Sequence, residues 1–195
     1  MDGVNQQERL SSIESSGRVW RVTEQTNYFL GGFIEGEGSL TVSVKHHPSS
    51  KFGFLVDPEF YLYQHESGIA LLELAQQTFS CGRINRKSGS PRVLTYGVTA
   101  RRSIQEKVLP FFERYVYPFS CKTPAFERFR EICEMMDRKE HLTAEGLIGI
   151  VEKAYVMNPH SKGKQRSRTL EEVRERILRG HTPDIPSEIK LDLTR

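Results

Sequence analysis

The chain has 195 residues, 37% hydrophobic and 27% charged, a balance that excludes disordered, fibrous and membrane-spanning classes and suits one domain with its own core. Its formal net charge of +3 leans toward nucleic acid without deciding the matter. The three cysteines, Cys81, Cys121 and Cys133, are far apart and odd in number; this argues against a disulfide framework or a zinc site and predicts reduced, core or half-buried thiols.

Residues 1–24 read as a polar N-terminal extension without an apolar leader, expected to dock on the body through Trp20. The main domain is expected over residues 25–180 and an extended tail over 181–195, marked by Pro183 and Pro186. A first helix is predicted from Asn27, a good capping residue, to about Glu35. Gly31 and Gly32 sit in its middle, where each glycine costs ~1 kcal/mol relative to alanine. The usual reason to carry that cost is close approach of another backbone. The helix ends on two acids, Glu35 and Glu37, interleaved with Gly36 and Gly38.

A strand follows over 40–46, with Leu40, Val42 and Val44 on one face and Thr41, Ser43 and Lys45 on the other. The Pro48-Ser49-Ser50 turn leads to a second strand over 52–64, making an antiparallel hairpin. Residues 67–79 form an amphipathic helix, and a second hairpin spans 83–87 and 93–98. A helix from Ser103 is expected to break at Leu109-Pro110 and restart at Phe111. A tight connection over 117–122 then precedes helices at 123–141 and 143–156. A polar, basic loop over 158–167 and a last helix over 169–178 complete the domain.

This order predicts an α+β fold: a curved antiparallel sheet covered by helices on one face. The open face would carry Thr41, Ser43, Lys45, Asp57, Glu59, Tyr61, Arg83, Asn85, Lys87 and Thr95. Such a face suits a DNA groove, because strands read base edges and these side chains also match phosphate contacts. An ordinary solvated sheet face is the competing reading, since Asp57 and Glu59 dilute the charge.

Leu30-Gly31-Gly32-Phe33-Ile34-Glu35-Gly36-Glu37-Gly38 resembles the motif of the LAGLIDADG homing endonucleases, with glutamates in place of aspartates. The motif opens an α-β-β-α-β-β-α order, which is that family's core topology. Phe60-Tyr61-Leu62-Tyr63-Gln64 is similar to the family's second strand, which ends on a glutamine near the active site. Residues 108–122 are similar to a recurrent family stretch that ends on a lysine, here Lys122. Val116 and Tyr117 stand where that stretch has at most one residue. The resemblance covers about residues 27–178, with one motif and no second copy. It implies an intron-encoded endonuclease that works as a homodimer on double-stranded DNA, cutting both strands of a long, near-palindromic site.

Several site roles are implied by the resemblance. The motif helices of two subunits would pack through Leu30, Gly31, Gly32 and Phe33. Glu37, with the neighbouring Gly36 carbonyl, would bind Mg²⁺, and Mn²⁺ or Ca²⁺ can occupy the same kind of oxygen site. Gln64 would order solvent around the metal, Lys122 would support the water network or the transition-state charge, and Glu35 would serve the helix end, with a part in catalysis as the alternative. Some relatives carry a second basic residue just beyond the glutamine, where this chain has Gly68. DNA contacts are expected from Thr41, Ser43, Lys45, His47, Tyr61, Arg83, Asn85, Lys87 and Thr95, and from Lys162, Lys164, Arg166 and Arg168. No nucleotide cofactor and no membrane are expected. The compartment would be a bacterial or archaeal cytoplasm, or an organelle matrix. A catalytically silent DNA-binding protein or an RNA maturase of the same fold is the alternative, and an α+β protein unrelated to DNA is a more distant one.

Overall fold

The computed structural model describes residues 13–157 and 168–180. Helix α1 (Glu24–Glu37) starts three residues earlier than the sequence suggests. Thr23 is its cap, and a reciprocal box with Thr26 satisfies both backbone donors. Strand β1 (Gly38–His46) leaves it directly and pairs antiparallel with β2 (Phe54–His65). A short 3₁₀ turn, Glu66–Gly68, leads into α2 (Ile69–Phe79), and β3 (Arg83–Lys87) and β4 (Ser90–Val98) form the second hairpin. The four strands make one antiparallel sheet in the order β1-β2-β4-β3.

The helical stretch α3 (101–116) does not break at Leu109-Pro110. It passes through two π-helical segments, Ile104–Val108 and Phe112–Val116, whose closing N–H groups reach carbonyls five residues back. The first wide turn lies just before Pro110, where a regular turn would bring the proline ring against a carbonyl. The second turn, with the 3₁₀ turn Tyr117–Phe119, takes up the extra Val116 and Tyr117. Helix α4 (Thr123–Asp137) stops four residues short of the expected end, and the left-handed Lys139 leads into a separate turn, Glu140–Leu142. Helices α5 (Ala144–Val156) and α6 (Leu170–Leu178) are capped by Thr143 and Thr169.

Alternation along the strands puts Val42, Phe54, Val56, Phe60, Leu62, Leu94, Tyr96 and Val98 on the covered face, where they are buried. Phe60 is the hub: its ring meets Phe112 edge-on at 5.3 Å and Phe79 at 5.7 Å, tying α3 and α2 to the sheet. Cys133 is buried in this core, and burial pushes its thiol up to about 12. Cys81 is half-buried, while Cys121 is exposed, unlike the expectation for it. Among the described residues no helix is long and apolar enough to cross a membrane.

The N-terminal segment contains no helix over residues 13–23; it lies across α2. The Trp20 indole N–H donates to the Ala70 carbonyl at 2.9 Å, and the Ser15 hydroxyl donates to Glu73 at 2.7 Å. Burial alone would raise the Glu73 pKa, but hydrogen bonds from Ser16 and Ser15 outweigh it and hold the carboxyl below its ordinary value.

Candidate active site

The site is built around the C-terminal end of α1. Glu37 is the last helical residue, exposed, and its carboxylate makes no hydrogen bond or ion pair among the described residues. Glu35 is the opposite case. Its Oε2 accepts from the Ser120 hydroxyl at 2.7 Å and its Oε1 accepts from the Cys121 backbone N–H at 3.1 Å. The Ser120 oxygen in turn accepts from the Lys122 backbone N–H at 2.8 Å. The Lys122 ammonium donates to the backbone carbonyl of Glu35. A cation over the open carbonyls of a helix end also complements the helix dipole. Lys122, far away in sequence, is thus brought to the same helix end as Glu37.

Gln64 arrives by strand register. Leu62 is paired with Gly38, the residue after Glu37, so Gln64 sits at the same end of the sheet. Its amide oxygen accepts from the His65 backbone N–H at 2.8 Å, and its side chain lies under Gly68. Leu40, Ile34, Phe112, Val116 and Phe126 line an apolar cavity of about 400 Å³ behind this corner, with Glu35, Ser120 and Lys122 at its wall.

The residues expected to form a subunit seam divide. Leu30 is buried in the chain's own core, and a Cβ on Gly31 would lie 2.3 Å from the Tyr115 carbonyl oxygen. The close approach that Gly31 permits is therefore made within the chain, to α3, which corrects its assignment and that of Leu30 to a seam. Gly32 and Gly36 face open space, Phe33 is half-buried, and Phe29, which sequence reasoning missed, is 56% exposed. Their spacing at 29, 32, 33 and 36 is one helical face, and that periodicity was the signal available for Phe29.

On the open face of the sheet the register brings Ser39, Thr41, Ser43 and Lys45 beside Tyr61, Glu59, Asp57 and Leu55. Lys45 is held by Asp57 at 3.2 Å and by Glu59 at 3.0 Å. Burial would lower its pKa, but the bonds and charges of these two acids outweigh that and raise it. Burial, and then the charge of Glu59, push the Tyr61 and Tyr63 phenols upward, so they stay neutral donors. On the other hairpin Arg83 and Asn85 are exposed and have no side-chain hydrogen bond or ion pair among the described residues. Thr95 faces the same way opposite Asn85, and Lys87 rests over the Tyr63 ring at 5.0 Å. His47 is exposed in the β1–β2 turn, and Arg168 is half-buried before α6. Lys162, Lys164 and Arg166 lie outside the described residues.

The family model described as LAGLIDADG endonuclease matches residues 30–133. The chain belongs to the LAGLIDADG endonuclease family. It is 42% identical to DNA endonuclease I-CeuI of Chlamydomonas moewusii over 130 residues, 66% of this chain and 60% of that protein. It is 29% identical to homing endonuclease I-ApeII of Aeropyrum pernix over 147 residues, 74% of this chain and 86% of that one. Among solved structures, the group I intron-encoded homing endonuclease I-CeuI complexed with DNA superposes with a TM-score of 0.77 at 36% identity, over 82% of this chain and 79% of that one. The archaeal intron-encoded homing endonuclease I-Vdi141I complexed with DNA gives 0.73 at 30% identity, over 80% and 96%. The four-stranded antiparallel sheet with its covering helices is thus the LAGLIDADG fold, and the motif's last acid, Glu37, ends its first helix.

The family is generally dependent on a divalent metal. The residues present fit a hard cation: Glu37 is an exposed carboxylate at the negative end of a helix, next in sequence to Gly36 and its carbonyl. Among the described residues no three His, Cys, Asp or Glu side chains cluster into a cage. One carboxylate per chain suits Mg²⁺, which commonly takes one or two carboxylates and completes its shell with phosphate oxygens and water.

Proposed function

We propose that this chain is an intron-encoded, site-specific DNA endonuclease that acts as a homodimer and cuts both strands of a near-palindromic target. The observation that supports this reading most is Lys122 bonded to the helix end that carries Glu37, where α1 passes into the sheet, with Gln64 two residues beyond Leu62, the partner of Gly38. The outward stripe of Phe29, Gly32, Phe33 and Gly36 supports a second copy packing along α1. A twofold axis there would bring two Glu37 carboxylates together and set the two open sheet faces along one duplex, each reading a half-site.

In that arrangement Glu37 and the Gly36 carbonyl hold the divalent ion, which supplies Lewis-acid stabilisation of the phosphate charge when bound. Gln64 has amide donors to orient water at the strand end. Lys122 places a positive charge where the scissile phosphate gains negative charge in the transition state. Arg83, Lys87 and Asn85 meet phosphates and base edges, and the neutral Tyr61 and Tyr63 phenols donate beside them.

A plasmid carrying the intron-free insertion site provides the test. With Mg²⁺ the protein should linearise it, chelation should stop the reaction, and Glu37→Gln should bind the site without cutting. Tight, salt-sensitive binding with no Mg²⁺-dependent cut would reject the nuclease in favour of a silent DNA-binding relative.

A further inference from the structure

The geometry points to Glu35 as the positioning residue for Lys122. Its role is to fasten the turn that carries the lysine, rather than to touch DNA or metal. Gly31 and Glu35 lie one turn apart on the inner face of α1, about 6 Å along the helix. Gly31 seats the backbone of Tyr115 at the end of α3, and Glu35 seats Ser120 and Cys121. The six residues between Tyr115 and Lys122 are therefore stapled to one face of α1 at two points.

Both carboxylate oxygens of Glu35 are engaged in this staple, and the Ser120 hydroxyl is shared: it donates to Glu35 and accepts from the Lys122 N–H. The Lys122 ammonium then returns to the carbonyl of Glu35 itself. Side chain and backbone of one residue thus fix both ends of the lysine. Lys122 is an exposed side chain at the start of α4, and the bond its ammonium makes is to the Glu35 carbonyl. Glu37, two residues on, has no such partners among the described residues, so the two acids of the motif are not interchangeable.

The contribution to cleavage rests on the nuclease reading above, whereas the positioning of Lys122 does not. Two readouts separate them. Trace acetylation of the full-length protein with acetic anhydride, read by mass spectrometry, compares Lys122 with the exposed Lys139. Releasing one charge-assisted hydrogen bond should raise relative Lys122 reactivity about five- to tenfold in Glu35→Ala and less in Ser120→Ala. On the plasmid, Glu35→Ala should lower the cleavage rate about 100-fold at unchanged DNA affinity, since small misplacements of a catalytic group cost that much. Glu35→Gln keeps one acceptor for the Cys121 N–H, and its new NH₂ can donate to the Ser120 oxygen, so it should recover most of the rate. Adding Glu35→Ala to Lys122→Ala should cost nothing further, as for residues acting as a unit.

Unchanged Lys122 reactivity in both Glu35→Ala and Ser120→Ala overturns the proposal. So does a Glu35→Gln variant as slow as Glu35→Ala, which would assign the effect to charge. Should Glu35→Ala fail to fold, Ser120→Ala, which removes the two bonds of one hydroxyl at a half-buried position, decides the labelling result. A native chain that cuts no DNA would sink the nuclease reading and leave the labelling outcome standing on its own.

Discussion

The two faces of α1 are built from the same residue types and do opposite work. On the inner face, Leu30 and Ile34 are buried, Gly31 touches the α3 backbone and Glu35 is fully bonded. On the outer face, Phe29 is exposed, and among the described residues nothing lies within 4 Å of a Cβ added at Gly32 or Gly36. A glycine forced by contact and a glycine facing open space are adjacent in sequence. The inner face is therefore satisfied by this chain, while the outer face has no such contacts among the described residues.

The largest effect belongs to the inner face. Leu30→Ala should cost about 2–5 kcal/mol of folding stability, read by denaturant unfolding at fixed concentration. Gly31→Ala follows, because its Cβ would meet backbone rather than a movable side chain. Overpacking of this kind costs about 1–3 kcal/mol. Equal tolerance of alanine at 31 and 32 would break the comparison.

On the outer face the sign reverses. Gly32→Ala has room and should stabilise the isolated chain by about 1 kcal/mol through helix propensity, while weakening self-association measured by sedimentation. Phe29→Glu should leave monomer stability within about 0.5 kcal/mol, as exposed substitutions do, and also reduce the dimer. A dimer unaffected by both changes would move the seam elsewhere.

The smallest effect lies upstream, where the segment crossing α2 leads into α1. Because hydrogen bonds hold the Glu73 pKa below the ordinary 4.5, its contribution is present above that pH and is lost as pH falls through the lower folded value. Trp20 is the chain's single tryptophan, so its emission should shift to the red in that acid range. Glu73→Gln should remove the shift.

Most of the fold was legible because its signals are local. Alternation in 40–46 and the two hairpin turns give the sheet and its open face, and the covered α+β arrangement follows. The cap was missed because Thr26 fills a box position usually held by Glu or Gln, leaving Asn27 as the conspicuous capping residue. The Asn27 side-chain oxygen is instead buried without a hydrogen-bond partner among the described residues. The passage through Leu109-Pro110 was unreadable because wide turns have no simple residue signature. Of the site, the motif marks Glu35 and Glu37, but their different surroundings depend on a turn more than 80 residues away. Likewise, the two glycines share a composition signal, and only the path of α3 tells them apart.

Gly68 carries a consequence for how this site can change. A Cβ there would lie 2.6 Å from the Gln64 Cγ and 2.9 Å from its Cδ, although the backbone conformation at 68 suits any residue. The two positions are epistatic: a basic side chain at 68 requires Gln64 to leave its present rotamer. A designer wishing to add a second cation beyond the strand end would need to change both positions together. A lineage changing one residue at a time would pass through an intermediate with the glutamine displaced.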